Sequence, residues 1–317
     1  MVSVIIPVYN RQNTLERLFA SLRLVTFRPV EFIFVDNNST DSSRSLCEAF
    51  CKELMAEVDD VETLHAVTVD CLTPGACAAR NVGLSKARGE FCCFFDSDDE
   101  FAADFITSMV NSIGDADVCL TRTRMIMPDG RERIREGWPN PTISEHLLAQ
   151  NVSTQSFIAR TSYVRAIGGW ADLPIWQDYE FGVRLLSGQY RLVREGCVLD
   201  ARPPRLAWNP GIWHRIYQHP DSITGGSFGE RAERISLAFD IIRNETLSLC
   251  DKRSTLALEY RVAIVRGHMR AEGKSVEARL LPLNNHLLSC RILEKYVACH
   301  GRGAWRFALL LLKLHRL

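Results

Sequence analysis

The sequence predicts an α/β fold with a mostly parallel central sheet, followed by an all-helical C-terminal extension. Over residues 1–127, short apolar segments alternate with segments whose apolar residues recur at helical spacing, a pattern typical of successive β-α-β units. From 128 to 225 short elements are separated by long loops, and from 226 onward the periodicity is helical only. We therefore expect an α/β domain over residues 1–225 and a helical extension over residues 226–317.

The predicted elements of the α/β domain follow from local periodicity. The first strand, residues 2–9, is an almost continuous apolar run, as expected of a strand that is buried on both faces. In the helix after it, Leu15 and Leu18 begin an apolar stripe, and Asn13 with Glu16 has the spacing of a capping box. Further strands are predicted at 30–35, 63–69, 91–95 and 117–127, with helices around 46–54, 75–87 and 105–113.

Polar residues follow three of these strands. They are Tyr9-Asn10 after the first strand, Asp36 to Ser39 after the second and Asp96 to Asp99 after the fourth. Because ligands bind beyond the carboxyl ends of the strands in parallel α/β sheets, we expect the three clusters to meet at one edge. Alternation places Asp96 and Asp98 on one side of the chain, where carboxylates could hold a Mg²⁺-like ion. An acidic turn that caps the next helix is the alternative.

Charge and cysteine content exclude several classes of protein. The 38 basic residues balance the 38 acidic ones, whereas a protein that coats nucleic acid needs a basic surplus, so we expect no nucleic-acid partner. The 11 cysteines contain no CxxC pair, which favours small buried side chains in a reducing compartment over disulfides or a zinc site. No signal peptide precedes the first strand and no apolar run reaches ~18 residues, so we expect a cytoplasmic protein.

Four segments carry a resemblance to a known family. They are Pro7-Val8-Tyr9-Asn10, Asp36-Asn37-Asn38-Ser39, Ala79-Arg80-Asn81 and Asp96-Ser97-Asp98-Asp99. Their order and spacing resembles the family 2 glycosyltransferases, which have the nucleotide-sugar-binding GT-A fold, and the resemblance covers about residues 2–225. The chain departs from the family's Asp-Asp-Gly-Ser at the second segment, where Asn38 can replace glycine because asparagine tolerates the left-handed conformation.

The resemblance implies roles for these residues. Residues of the Pro7–Asn10 segment would line the pocket for the nucleotide base. Asp36 would accept a hydrogen bond from that base, and Arg80 would contact the nucleotide. Of the acidic cluster, one aspartate would meet the ribose and another would hold Mn²⁺ or Mg²⁺. The nucleotide-binding residues so implied are Pro7, Tyr9, Asn10, Asp36, Ser39, Arg80 and Asp96, and the metal ligand is Asp98.

The second half of the chain resembles the family at Gly168-Gly169-Trp170 and at Gln177-Asp178. The family pattern is Gly-Gly-Phe followed by a Glu-Asp pair that opens a helix, and the aspartate is the catalytic base of inverting members. Asp178 is therefore the implied base, although Gln177 replaces the glutamate. A helix N-terminus stabilises a carboxylate as the anion, and an ordinary N-terminal helix acid is the alternative interpretation. Glu180, two residues on, does not share its helical face.

Histidine and tryptophan provide the remaining candidates. The segment from Trp213 to Gly226 resembles a family segment whose histidine, here His219, completes metal or diphosphate binding, and imidazole suits Mn²⁺-like ions. His214 is the rival histidine. Five of the six tryptophans lie between 138 and 213, which indicates either core filling or sugar contacts, with Trp170 and Trp176 the first candidates for a sugar or acceptor pocket.

The C-terminal tail from Trp305 to Leu317 is apolar almost all round as a helix. From Lys295 to the end the chain has five Lys/Arg and no acid. A helix buried in the core or in a homodimer is one interpretation. A peripheral anchor on the inner membrane surface, near a lipid-linked acceptor, is the other.

Taken together, the resemblance implies an inverting, metal-dependent glycosyltransferase of polysaccharide or glycoconjugate synthesis. The donor would be a nucleoside-diphosphate sugar, with UDP favoured, and the acceptor a hydroxyl of a carbohydrate or lipid-linked molecule. A nucleotidyltransferase or dinucleotide oxidoreductase would need a glycine-rich loop after the first strand, and residues 10–13 contain no glycine. A nucleotide-sugar-binding or scaffold protein without turnover, supported by Gln177, is the alternative.

Overall fold

The computed structural model describes residues 1–57, 63–188, 190–191, 198–199, 203–219, 227–246, 252–273, 288–301 and 303–314. In chain order the elements are β1 (Val2–Val8), α1 (Leu15–Arg23), β2 (Val30–Asp36), α2 (Ser43–Ala56), β3 (Leu64–Asp70), α3 (Ala76–Lys86), β4 (Phe91–Phe94), α4 (Phe105–Ile113), β5 (Val118–Ile126), β6 (Glu132–Arg135), α5 (Ile143–Ala149), β7 (Phe157–Arg160), α6 (Thr161–Ala166), α7 (Gln177–Ser187), β8 (Tyr190–Arg191), β9 (Val198–Leu199), β10 (Leu206–Tyr217), α8 (Ala232–Thr246), α9 (Lys252–Ala271), α10 (Leu288–His300) and α11 (Ala304–Leu314).

The central sheet has eight strands, seven of them in the order β10-β5-β7-β4-β1-β2-β3, while the eighth, β6, pairs with residues 123–126 of β5. Strands β3, β2, β1 and β4 pair with one another in parallel. Strand β7 runs antiparallel between β4 and β5. The register pairs Val8 with Asp36 and Asp36 with Asp70, so the polar segments after β1 and β2 leave the sheet at the same edge. The predicted α/β fold is confirmed.

Three hydrophobic clusters hold this architecture together. The first strand alternates between the two sheet faces, since Val4 and Ile6 pack with α1, α2 and α4 while Ile5 packs with α3 and α7. The third cluster joins α5 and α7 to the C-terminal helices, with Tyr179 and Tyr260 both almost fully buried in it. The C-terminal helices therefore share a core with the helix that begins at the predicted base.

The predicted helix cap at Asn13 is wrong. The N-cap of α1 is Thr14, and no side chain caps that helix. The Thr14 hydroxyl instead donates to the carbonyls of Arg11 and Ser97, at 3.2 and 3.3 Å, and so ties the start of α1 to the acidic segment after β4. A capping box does occur at α5, between Thr142 and Glu145.

The described cysteines are all free thiols, and all but Cys299 are buried, which agrees with the expectation of small core side chains. In α11, Ala304, Ala308 and Leu312 form a stripe that packs in the core, while Leu310 and Leu314 are 52% and 68% exposed. One face of the tail helix is thus a core element. Among the described residues, no helix combines the length and the apolar character that a bilayer crossing requires.

Candidate active site

The segments that follow β1 and β2 are bound to each other. The backbone N–H of Asn10 donates to the Ser39 hydroxyl at 3.1 Å, and the Thr40 N–H donates to Asn10 Oδ1 at 2.8 Å. Asn10 and Asn38 both have positive φ, 50° and 63°. The left-handed conformation predicted for Asn38 is therefore confirmed, and the two turns form one edge of the site.

Asp36 lies at the base of this edge with one unsatisfied carboxylate oxygen. Its side chain is buried, and Oδ2 accepts a long hydrogen bond of 3.3 Å from Ser39 N–H. Its Oδ1 has no partner among the described residues. Leaving a buried acceptor unpaired is costly, so this oxygen is a ready acceptor for a ligand N–H. Nearby in the chain, Pro7 is buried within β1, whereas the Tyr9 side chain is 55% exposed.

Arg80 links the acidic segment to the start of α7. Its guanidinium is buried, contacts Asp96 Oδ1 at 2.7 Å and donates to Gln177 Oε1 at 3.0 Å. It also lies 4.6 Å from the centre of the Trp170 ring. Burial is the largest single influence and opposes its charge, but the surrounding groups together, with the Asp96 carboxylate the strongest of them, leave the pKa of Arg80 raised. The structure thus gives Arg80 a bridging position between two predicted site segments.

The acidic cluster separates into exposed and buried members, as the alternation predicted. Asp96 and Asp98 are partly exposed, with 33% and 23% of their side chains accessible, whereas Ser97 and Asp99 are buried. The Gln155 amide donates to both Asp96 Oδ2, at 3.2 Å, and Asp99 Oδ2, at 2.5 Å. Burial, together with the charges of Asp98 and Asp96, raises the pKa of Asp99 well above its usual range.

Asp98 faces the first turn and the end of β10. Its carboxylate forms an ion pair with Arg11 at 3.2 Å, and its backbone carbonyl accepts from Arg17. Burial and the Asp96 carboxylate raise the pKa of Asp98, while Arg11 and His219 oppose that shift. Asp98 is therefore close enough to His219 for the two side chains to interact electrostatically.

The end of β10 is fastened to the acidic segment by its backbone. Tyr217 N–H donates to Asp99 Oδ1 at 2.7 Å, and Glu100 and Arg215 exchange backbone hydrogen bonds of 3.1 and 3.0 Å. These contacts position His219, whose Nε2 is buried and has no hydrogen-bond partner among the described residues.

The rival His214 has a structural role. Its ring packs against Phe95, Phe101 and Phe105, and its Nδ1 accepts from Ala102 N–H at 3.1 Å. Burial lowers the pKa of His214 to about 3, so this side chain is a neutral member of the core.

Asp98 and His219 are of the residue types that bind divalent cations, but two side chains provide only part of the ligands that such a cation needs. The unpartnered Nε2 of His219 is available as a ligand, and an imidazole with a carboxylate suits Mn²⁺-like ions. No group of three or more His, Cys, Asp or Glu side chains with metal-binding geometry occurs in the described part of the chain. Mg²⁺-like ions commonly use one or two carboxylates and take their remaining ligands from water and substrate phosphates, so a diphosphate would have to complete this site.

Asp178 and Glu180 point in different directions, as predicted. Asp178 accepts from the Gln150 amide at 2.9 Å and lies 3.9 Å from the Arg135 guanidinium. Glu180 is buried and forms a bidentate ion pair with Arg184 at 2.5 and 2.7 Å. Only Asp178, with 21% of its side chain exposed, is accessible to a substrate.

The pKa of Asp178 depends on its burial and on the charges around it. Burial raises the pKa of Asp178, and the cations Arg135 and Arg80 oppose this shift only in part. The neighbouring Asp96 carboxylate adds to the increase. Asp178 is thus coupled to the acidic cluster through charge.

The structure does not support the predicted sugar contacts of Trp170 and Trp176. Trp170 is buried, with Phe181 stacked on its ring at 4.1 Å and Arg80 at 4.6 Å. Trp176 is buried in the third cluster, with the edge of Phe239 at 5.1 Å. A ring that is covered by protein offers no face to a sugar, so both tryptophans are core residues in this structure.

Sequence reasoning missed four polar side chains of this site. Arg11 directly follows Tyr9-Asn10, and its position beside a predicted site segment was the one available signal. The others, Gln150, Gln155 and Arg135, lie in the loosely patterned region after residue 128 and match no motif. Only tertiary contacts bring them to the carboxylates.

Several solved structures share this fold, including the two that follow. The crystal structure of S. aureus TarS 1–349 in complex with UDP-GlcNAc has a TM-score of 0.55 and 18% identity, and the likeness covers 97% of this chain and 90% of that one. The mannosyltransferase PcManGT from Pyrobaculum calidifontis, in complex with GDP-Man and Mn²⁺, has a TM-score of 0.52 and 15% identity, covering 98% and 84%. At this identity the likeness shows the fold, which is of the predicted GT-A type.

Sequence comparison identifies the family. The glycosyltransferase GlyG of Streptococcus pneumoniae is 33% identical over 122 residues, which are 38% of this chain and 38% of that protein. The chain spans less than half the length of the first curated relatives it matches. The family described as glycosyl transferase family 2 matches residues 3–166. Because this match covers more than half of the chain, the protein belongs to glycosyl transferase family 2.

Proposed function

We propose that the protein is an inverting, metal-dependent glycosyltransferase that moves a sugar from a nucleoside-diphosphate sugar to an acceptor hydroxyl. The observation that carries this proposal is the connection of Asp178 to the acidic segment through Gln177, Arg80 and Asp96. These contacts connect the partly exposed carboxylate of Asp178 to the edge where β1, β2 and β4 end, and so support its role. The complexes of TarS with UDP-GlcNAc and of PcManGT with GDP-Man support a nucleotide-sugar donor, and we favour UDP.

In the proposed reaction, the free oxygen of Asp36 accepts a hydrogen bond from the base, and Tyr9 covers it. Asp98 and His219 would hold Mn²⁺ or Mg²⁺, which would supply positive charge for the leaving diphosphate. Asp178 accepts the proton of the acceptor hydroxyl as that oxygen attacks the anomeric carbon. Attack occurs on the face opposite the leaving diphosphate, so the anomeric configuration inverts.

The acceptor is proposed by class only. A relative from Campylobacter jejuni, 31% identical over 109 residues, is named as a glucosyltransferase acting on a diphosphate-undecaprenol-linked glycan. We propose by analogy a carbohydrate or lipid-linked acceptor in polysaccharide or glycoconjugate synthesis.

The function can be tested by thermal unfolding with a panel of nucleotide sugars, with and without Mn²⁺. A ligand that binds only the folded state at about 100 times its Kd stabilises that state by ~2.7 kcal/mol, so the correct donor should raise the melting temperature. Release of nucleoside diphosphate from that donor would then be measured with candidate acceptors. A panel that contains no stabilising donor would contradict the proposal.

A nucleotide-sugar-binding protein without turnover is the second candidate. Gln177 favours it, because this neutral amide stands where the family has glutamate and is already occupied by Arg80 and by the Leu173 carbonyl. The two candidate functions differ in whether the bound donor is consumed. Binding of the donor without release of nucleoside diphosphate, in the presence of acceptors, would support the second candidate.

Asp98→Asn should abolish metal-dependent donor binding while the fold survives. The side chain is partly exposed, and the change removes the charge that a cation would neutralise. We expect calorimetry to show that Mn²⁺ no longer increases the affinity for UDP, with thermal unfolding near that of the wild type. Undiminished Mn²⁺ enhancement in the variant would contradict the metal role of Asp98.

We propose that α11 contacts an anionic membrane surface through its outer face. The supporting features are the exposed Leu310 and Leu314 and the cations Arg306 and Lys313 of the same helix. Anionic lipid attracts such cations while the leucines enter the interface.

A double change of Leu310 and Leu314 to asparagine should weaken sedimentation with phosphatidylglycerol vesicles, since it removes exposed apolar contacts but leaves the buried stripe of α11 intact. Leu72→Asn, which changes an 82% exposed leucine elsewhere, is the matched control. Equal sedimentation of the double variant and the wild type would contradict membrane contact. Loss of a concentration-dependent dimer, without a vesicle effect, would indicate a second copy of the chain instead.

A further inference from the structure

Each of the two acidic side chains at the exposed edge of the site forms an ion pair with a different arginine. Asp96 pairs with Arg80 at 2.7 Å, and Asp98 pairs with Arg11 at 3.2 Å. Asp98 is also the carboxylate that the proposed function assigns to the cation. A cation that binds to Asp98 must therefore compete with Arg11 for the carboxylate.

The two guanidinium groups are held very differently. Only 6% of the Arg80 side chain is exposed, and it also contacts Gln177 and Trp170. The Arg11 side chain is 41% exposed, and Asp98 is its one ion-pair partner among the described residues. Arg80 is thus fixed in place, whereas the tip of Arg11 can leave its partner at little cost, because an exposed ion pair contributes little stability.

The backbone of Arg11 is nevertheless anchored at the nucleotide edge. Its N–H donates to the Ser43 hydroxyl at 2.6 Å, and its carbonyl accepts from Thr14 and Leu15 at 2.8 and 3.1 Å. It follows Asn10 directly in the turn after β1. The side chain can therefore change partners while its origin stays beside Asp98 and the proposed nucleotide edge.

We propose that Arg11 is an exchangeable counter-ion that binds the donor's diphosphate. It neutralises Asp98 in the ligand-free protein and transfers to the phosphate oxygens when a cation occupies Asp98. The inference rests on the proposed function. A divalent cation and a guanidinium repel each other at one carboxylate, and a guanidinium is well suited to phosphate oxygens.

This exchange couples the two ligands. When the cation binds alone, it displaces Arg11 from Asp98 and leaves the guanidinium without an anion. The affinity for the cation is therefore lower. When diphosphate is present, the displaced guanidinium gains a new partner. Each ligand therefore increases the affinity for the other by the same factor, as linkage requires.

Arg11→Gln tests the exchange through binding alone. With Mn²⁺ as the only ligand, electron paramagnetic resonance of free Mn²⁺ should show about twofold to tenfold tighter binding to the variant, the range that loss of a partly exposed competing ion pair and a nearby repelling charge predicts. Calorimetry with UDP in the presence of EDTA should show weaker binding to the variant. The factor by which UDP increases Mn²⁺ affinity should fall.

The control is Arg23→Gln, which removes the same charge at the far end of α1. Arg23 pairs with Glu53 and Glu57 at 2.6 and 3.0 Å, so the substitution also breaks a surface ion pair, but outside the site. Mn²⁺ affinity that is unchanged or weaker in Arg11→Gln overturns the exchange, as does an equal gain in Arg23→Gln.

Asp98→Asn distinguishes this inference from the proposed function. If Asp98→Asn abolishes Mn²⁺ binding while Arg11→Gln leaves it unchanged, the metal site stands and the exchange is wrong. If Asp98→Asn binds Mn²⁺ as the wild type does, the proposed metal site is wrong, and the exchange is overturned with it.

Discussion

Asp178→Asn is expected to lower kcat for sugar transfer by about 10²–10⁴-fold, the usual loss on removal of a general base. Donor affinity should remain nearly unchanged, because the carboxylate acts on the acceptor hydroxyl and the nucleotide contacts are made elsewhere. Asparagine keeps the shape of the side chain and can still hydrogen-bond Gln150, which contacts Oδ2 at 2.9 Å. Steady-state transfer rates and the donor Kd of the variant provide the measurement.

The pH dependence of kcat provides an independent test of Asp178 as the catalytic base. A base must be deprotonated to act, so activity falls as the pH falls through its pKa. Burial raises the pKa of Asp178 from its ordinary value. The fall of kcat at acidic pH should therefore occur at higher pH than an ordinary aspartate would give. Arg135→Gln removes a cation 3.9 Å away that opposes this increase, so it should move that limb to still higher pH. A near wild-type rate in Asp178→Asn would show that another group is the base.

The sequence predicted the parts of the fold that depend on local periodicity. The predicted strands and helices of residues 2–127 occur within three residues of their predicted limits, since a buried strand and an amphipathic helix each impose their own pattern. The place of β7 between β4 and β5 was not predicted. Strand order depends on long-range packing, and a four-residue apolar segment such as Phe157–Arg160 does not encode its neighbours.

The candidate site was predictable to the extent that strand ends define it. Asp36, Asp96 and Asp98 were found because the carboxyl ends of parallel strands meet at one edge. Core filling and sugar contact both stayed open for the tryptophans because residue type does not reveal whether a ring face is covered, and in the structure Phe181 covers Trp170. Arg11 was missed because its pairing with Asp98 spans 87 positions of the sequence and depends on the turn after β1.

Glu180→Gln is expected to have the opposite pattern from Asp178→Asn, with a large loss of stability and little loss of catalysis. The Glu180–Arg184 pair is buried, with 1% and 4% of the two side chains exposed. Removing the negative partner takes its bidentate carboxylate away from a buried guanidinium, a change that typically costs ~3–5 kcal/mol. The free energy of unfolding, measured in urea, should fall by about that amount.

Arg184 also donates to the carbonyls of Ile167 and Gly169, each at 2.7 Å, so its guanidinium stays in place when Glu180 is neutralised. A double variant, Glu180→Leu with Arg184→Met, removes both charges and should be more stable than Glu180→Gln, although the two carbonyls lose their donor. Below its melting temperature, folded Glu180→Gln should transfer sugar at near wild-type kcat, because this carboxylate is sealed from substrate. Wild-type stability together with lost catalysis would instead identify Glu180 as the base, since a carboxylate needed only for folding cannot give that result.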